Sequence, residues 1–251
     1  SSSSRASIWR RSSCSISSSE STSSSACSSC ATPVSASSFD AAFFEVAFDA
    51  RLDATFFDAP GQTLGARPLP VTHQGTEGYP ENARLMLGDV MVMSAHVVGS
   101  NNGFEPHDLA TAEEALARDA ANRAWLAASF AAARQAGAKA LILAIHGDMF
   151  EFGFAPPWNA ESFLRHSGFA RFAEVLIAET NRFARPVLLT YGDSHVFRMF
   201  RPFPTRAPGL MALETFGARH MHAVEITVDP GAGYPFAIRP LINPAQPLRP
   251  E

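Results

Sequence analysis

Pro186-Val187-Leu188-Leu189-Thr190-Tyr191-Gly192-Asp193-Ser194-His195 is the stretch on which the fold turns. Val187 to Thr190 are apolar or β-branched, which suits a short strand covered on both faces. Pro186 is tolerated at the first ladder position, where no N–H is required. Gly192 breaks the run and permits a tight turn. Asp193, Ser194 and His195 then stand at a strand's carboxyl end, where open α/β sheets keep their ligands.

Two further strands end in a comparable way. Lys139 to Ile145 runs into His146-Gly147-Asp148, and Val90 to Val98, which contains His96, runs into Gly99-Ser100-Asn101-Asn102-Gly103. Between them Thr111-Ala112-Glu113-Glu114 reads as a capping box with Thr111 as N-cap. It opens a helix to about Ala136, with Leu116, Leu126, Phe130 and Ala133 buried and Gly137 as its stop. A second helix is predicted over roughly Phe169 to Phe183, with Phe169, Phe172, Leu176 and Phe183 on one face. Strand, helix, strand, helix, strand is the order of a sheet with crossover helices. Upstream, Ala83 to Leu87 reads as a short strand, Gly88-Asp89 as a hairpin turn, and Val90 to Val98 as the return strand. Residues 61 to 82 read as loop, and Asp49 to Phe57 as a helix. Past Pro208 the pattern is β only: Leu210 to Phe216, His222 to Val228 and Tyr234 to Ile238.

Composition sets the bounds. A chain of 251 residues with 46% apolar and 18% charged residues has the material for a sizeable core. Its net charge of −4 argues against nucleic acid as the main partner. No apolar run approaches the roughly 18 residues of a membrane span. The first 38 residues differ: 20 are Ser, and all three Cys (Cys14, Cys27, Cys30) lie there. Residues 1–49 are therefore expected to be a low-complexity, disordered tail, and residues 50–245 the folded domain. Cys27-Ser28-Ser29-Cys30 has redox-motif spacing but lacks a helix start or a second ligand pair. The Ser and Arg content is also that of an organellar transit peptide.

His146, Asp193 and His195 are the sharpest constellation. Imidazole and carboxylate suit zinc, manganese or iron, and Asp193 and His195 flank one residue in a turn. His73, His107, His166, His220 and His222 have no comparable setting. The bland reading makes each histidine a hydrogen-bonded residue at a strand end; three converging strand ends favour a shared site.

The strand-His element at Ile142 to Asp148, followed by Leu188 to His195, resembles the second half of the calcineurin-like metallophosphoesterases. That family ends with a lone His after a strand and then a G-H-x-H turn. His146 matches the lone His, and Gly192 and His195 match the G-x-x-H frame, with Asp193 in place of the first His. Gly78 to Arg84 and His96 to Asn102 look like a bacterial subgroup of the family. The likeness covers about residues 50–240. It implies an α/β fold of the αββα sandwich type, incomplete here, and hydrolysis of a small phosphate ester by metal-activated water. It also implies a divalent metal held by His146, Asp193 and His195, with Asn101, Asn102 and His96 as candidates to line the substrate site. The chain departs from the pattern upstream: no His precedes His73, so no D-x-H stands in the N-terminal part, and no G-N-H occurs. At most one ion per chain and weak or no turnover are therefore expected. A truncated or misread gene product would account for the Ser-rich segment.

Two alternatives stand beside this. Tyr191-Gly192-Asp193-Ser194 after a buried strand resembles the nucleophile block of SGNH/GDSL serine esterases, with Ser194 as nucleophile. Gly99 to Asn102 resembles, faintly, another block of that family. The third is a non-catalytic remnant that binds metal or a partner.

Overall fold

The computed structural model describes residues 57, 61–64, 66–150, 164, 167–217 and 221–246. The expectations for residues 1–49 and for a helix over Asp49–Phe57 fall on residues outside these, Phe57 apart.

Among the described residues, nine strands form two sheets. The strands are β1 (Thr72–Gln74), β2 (Tyr79–Leu87), β3 (Val90–Ser94), β4 (Ala140–Ala144), β5 (Val187–Tyr191), β6 (Arg198–Phe200), β7 (Leu210–Glu214), β8 (Ala223–Val228) and β9 (Phe236–Leu241). The large sheet has the order β1-β2-β3-β4-β5-β7-β6, and β8 and β9 pair as a separate hairpin. β3, β4, β5 and β7 run parallel at its centre. β1, β2 and β6 close the edges antiparallel. After β5 the chain passes to the outer position as β6 and returns as β7 between the two.

Alternation along the central strands assigns the two faces. Leu141 and Leu143 of β4, and Val187, Leu189 and Tyr191 of β5, join the cluster that contains the helical residues Leu126, Phe130, Phe172 and Leu176. Ala140, Ile142 and Leu188 point the other way, onto Val224, Ile226, Phe236 and Ile238 of the β8–β9 hairpin. The result is a mixed α/β fold: a helical layer, a seven-stranded sheet and a two-stranded layer. These are three of the four layers of the expected αββα arrangement.

Helix α1 (Leu109–Gln135) and helix α2 (Ala170–Phe183) pack together on the sheet. α1 begins earlier than the capping box suggested. Asp108, not Thr111, is its N-cap, accepting hydrogen bonds from the Ala110 N–H (3.0 Å) and Thr111 N–H (3.3 Å). Gly137, at φ +68°, takes the left-handed position just beyond the helix end. Leu116, expected in the core, is 42% exposed. The buried stripe of α1 runs through Ala115, Arg118, Asp119, Asn122, Trp125, Leu126, Ser129, Phe130 and Ala133. Polar residues occupy four of those positions, so apolar spacing pointed to the wrong edge of the stripe. In α2 the expected residues Phe169, Phe172, Leu176 and Phe183 are all buried.

Two strand boundaries also move. Residues 61 to 82 are not all loop: β1 lies in them and β2 begins at Tyr79. β3 stops at Ser94 rather than running to Val98. The reason is a buried polar network against α1. Asn82 Nδ2 donates to Gln74 Oε1 (2.7 Å) and Asn122 Oδ1 (2.9 Å), while Asn82 Oδ1 accepts from the His96 N–H (2.7 Å). Asn122 Nδ2 in turn donates to the His96 carbonyl at 2.7 Å. Side chains thus satisfy the His96 backbone groups that a strand ladder would otherwise use.

Candidate functional site at the carboxyl edge of the sheet

Four parallel strands deliver their carboxyl ends to one edge. β3 leads to His96 and the 98–103 loop, β4 to His146-Gly147-Asp148, β5 to Gly192–His195, and β7 ends in Glu214. Three glycines let the loops meet at backbone distance. A Cβ on Gly147 would lie 2.2 Å from the Val98 carbonyl oxygen, one on Gly168 2.2 Å from the Asn101 carbonyl oxygen, and one on Gly99 2.7 Å from Asp193 Oδ2.

The first loop is held in a costly conformation. Ser100, Asn101 and Asn102 take φ of 48°, 61° and 57°, three consecutive non-glycine residues in the left-handed region. What holds them is hydrogen bonding. Asn101 Oδ1 accepts from the Gly168 N–H (2.7 Å) and its Nδ2 donates to the Phe104 carbonyl (3.0 Å). Asn102 is buried; its Nδ2 donates to the Gly168 carbonyl (3.3 Å), and its Oδ1 accepts from Arg118 Nη1 (2.8 Å). Both amides therefore scaffold the loop. His96 is half-buried, with Nδ1 3.5 Å from Glu81 Oε1.

The second and third loops are bonded to each other. The Gly192 N–H donates to the His146 carbonyl (3.2 Å), and the Asp148 N–H to Asp193 Oδ2 (3.2 Å). Ser194 Oγ donates to Asp148 Oδ2 at 2.5 Å. The His146 and His195 side chains belong to exposed residues, and the ring of His195 lies over Gly217, where an added Cβ would meet Cγ at 2.1 Å. Asp193 and His195 have φ of 75° and 67°.

His146, Asp193 and His195 thus belong to one loop cluster. Among the described residues, however, no group of three or more His, Cys, Asp and Glu side chains is arranged to hold a metal ion. The Asp193 carboxylate is turned toward the Asp148 amide and Gly99. As placed, the three side chains do not form a ready-made metal centre.

Beneath these loops lies a set of charges that sequence reasoning missed. Asp148 and Glu214 are both buried, and Arg198 reaches each: Nη2 is 2.7 Å from Asp148 Oδ2 and Nε is 2.6 Å from Glu214 Oε2. Glu214 Oε1 also accepts from the Val196 N–H at 2.9 Å. Burial pushes the Glu214 carboxyl up to about 7; the Asp148 charge adds to this, while the Val196 amide and Arg198 oppose it. Burial, with the nearby Asp148 charge, also raises the Tyr191 phenol well above its ordinary value. The one signal in the sequence was an acid ending the apolar run Leu210-Met211-Ala212-Leu213-Glu214.

Comparison of the chain with known protein families, with curated proteins and with solved structures found no match.

Proposed function

We propose that the chain is a hydrolase of small phosphate esters, of the calcineurin-like metallophosphoesterase kind, with the carboxyl edge of the sheet as its reaction face. The observation that carries this reading is the direct bonding of the His146-Gly147-Asp148 turn to the Gly192–His195 turn, through the Gly192 N–H and the Asp193 carboxylate. Those are the two segments on which the resemblance rests, and they are far apart in sequence. The layered α/β architecture is compatible with the same reading. His146 and His195 are both exposed at that edge, and imidazole is the side chain best suited to bind an ion or exchange a proton near neutral pH. The metal requirement comes from the resemblance, with His146, Asp193 and His195 as the proposed donors and at most one ion per chain.

The serine-esterase alternative is less well supported. A nucleophilic serine needs a base within hydrogen-bond reach. The Ser194 hydroxyl instead donates to Asp148, a carboxylate already engaged by Arg198, and not to a histidine.

The deciding experiment assays bis(p-nitrophenyl) phosphate and p-nitrophenyl acetate hydrolysis with added Mn²⁺ or Zn²⁺. The proposal expects slow phosphodiester turnover that is abolished by chelator and by His195→Ala but persists in Ser194→Ala. Chelator-insensitive ester hydrolysis lost in Ser194→Ala would replace it with the esterase reading.

A further inference from the structure

Arg198 stands where three strand ends meet. It is the cross-strand partner of Glu214 in the antiparallel β6–β7 pair, and its guanidinium also reaches Asp148 beyond the end of β4. The guanidinium carbon lies 5.5 Å from the Phe200 ring centroid. Both carboxylate side chains are fully inaccessible to solvent, whereas Arg198 keeps 22% exposure.

The same two carboxylates tether the loop between β5 and β6. Asp148 Oδ2 takes the Ser194 hydroxyl, and Glu214 Oε1 takes the Val196 N–H. His195 sits between those tethers and Asp193 stands just before the first, both in the left-handed region. Non-glycine residues stay there only when their surroundings over-determine them. Two buried carboxylates without a counter-charge are strongly disfavoured; they shift toward water, and their hydrogen bonds to the loop change with them.

We infer that Arg198 is a positioning residue: by holding Asp148 and Glu214 in place it fixes the Gly192–Val196 loop, and with it Asp193 and His195. Its link to turnover rests on the proposed reading of this edge as the reaction face; its link to loop order does not.

Two measurements on the full chain separate these links. Amide hydrogen exchange is followed over Gly192–Val196 and, as an internal control, over Leu126–Ala133 of α1, in wild type, Arg198→Met and Arg198→Lys. In Arg198→Met the loop amides are expected to exchange at least about tenfold faster while α1 stays within about twofold. Lys keeps the charge but cannot fork to two carboxylates, so Arg198→Lys is expected to fall between the two. In the bis(p-nitrophenyl) phosphate assay kcat should drop at least about tenfold with KM little changed, and Arg198→Lys should recover part of it. Unchanged loop exchange in Arg198→Met, or an equal loss in α1, overturns the inference. If Arg198→Met does not fold, loop exchange in Arg198→Lys decides, and a rate equal to wild type overturns it. A wild-type protein without phosphodiesterase activity sinks the proposed function, while exchange still judges Arg198.

Discussion

Gly147 and Val98 touch backbone to backbone: the Val98 carbonyl oxygen occupies the space where a Cβ on Gly147 would sit, 2.2 Å away. The Gly147 N–H is also committed, donating to the Val97 carbonyl at 2.9 Å. Neither partner is the free end of a flexible side chain, so the contact cannot yield cheaply. Gly147→Ala should cost about 3 kcal/mol, at the upper end of overpacking penalties. Gly233 has open space around its Cα and no positive φ, so Gly233→Ala should stay within about 0.5 kcal/mol of wild type. Urea unfolding of both variants checks the contrast, and equal effects would contradict the close approach.

Asn82 is the hub of the buried amide network, with both of its polar atoms used. Asn82→Ala strands the His96 N–H, Gln74 Oε1 and Asn122 Oδ1 at once. A loss of about 3 kcal/mol is expected, since each buried unpaired group costs about 1–3 kcal/mol and water recovers part of it. Calorimetry measures it, and a loss below about 1 kcal/mol would mean that the network is not closed to solvent.

Ser194→Ala removes the hydroxyl that Asp148 receives and nothing from the core. Its cost should be about 1.5–3 kcal/mol, as for a hydrogen bond to a charged acceptor. Intact-mass measurement after exposure to a fluorophosphonate should find no adduct on the wild-type chain. An adduct at Ser194 would show a nucleophile where the geometry has a structural donor.

Glu214 makes stability depend on pH. Its folded value lies near 7 against an unfolded value near 4.5, so the folded state holds the proton more tightly. The stabilisation from that proton is complete below about pH 4.5 and is lost as pH rises through about 7. Arg198, Asp148 and Tyr191 are the ionisable groups that act on it. Relative to Glu214→Gln, the wild type should lose about 2 kcal/mol of unfolding free energy between pH 5 and pH 8, after allowance for residual solvent screening. A difference between the two proteins that does not change with pH would place the Glu214 value near that of an ordinary carboxyl group.

The two helices and the four central parallel strands, Leu210–Glu214 included, were legible because their patterns are local. Val187 to Tyr191 is apolar and flanked by Pro and Gly, and the phenylalanine spacing of α2 marks one face. The ends of β2 and β3 were not legible: what fixes them is the Asn82–Asn122 contact, between residues on different elements. Leu116 was misplaced because Arg118, Asp119 and Asn122 occupy the buried stripe, and a hydrophobicity pattern has no means of recognising a satisfied polar core. The strand-end residues His146, Asp193 and His195 were found from their neighbours in sequence. Arg198 and Glu214 were missed because their importance lies in a cross-strand pairing whose register is set by the returning strand β7.

The central strands β3, β4, β5 and β7 pair only after long excursions of chain, whereas β2–β3 and β8–β9 pair across short turns. Loop-closure entropy must be met before the parallel pairings are rewarded, which makes them slower to form than the hairpins. The two hairpins can acquire exchange protection early in refolding. The His146 and Asp193 turns, which bond to each other across β4 and β5, cannot do so until the crossover between those strands is complete. The edge that carries the candidate chemistry is thereby one of the last parts of the molecule to exist, and a chain halted partway through folding holds its hairpins without it.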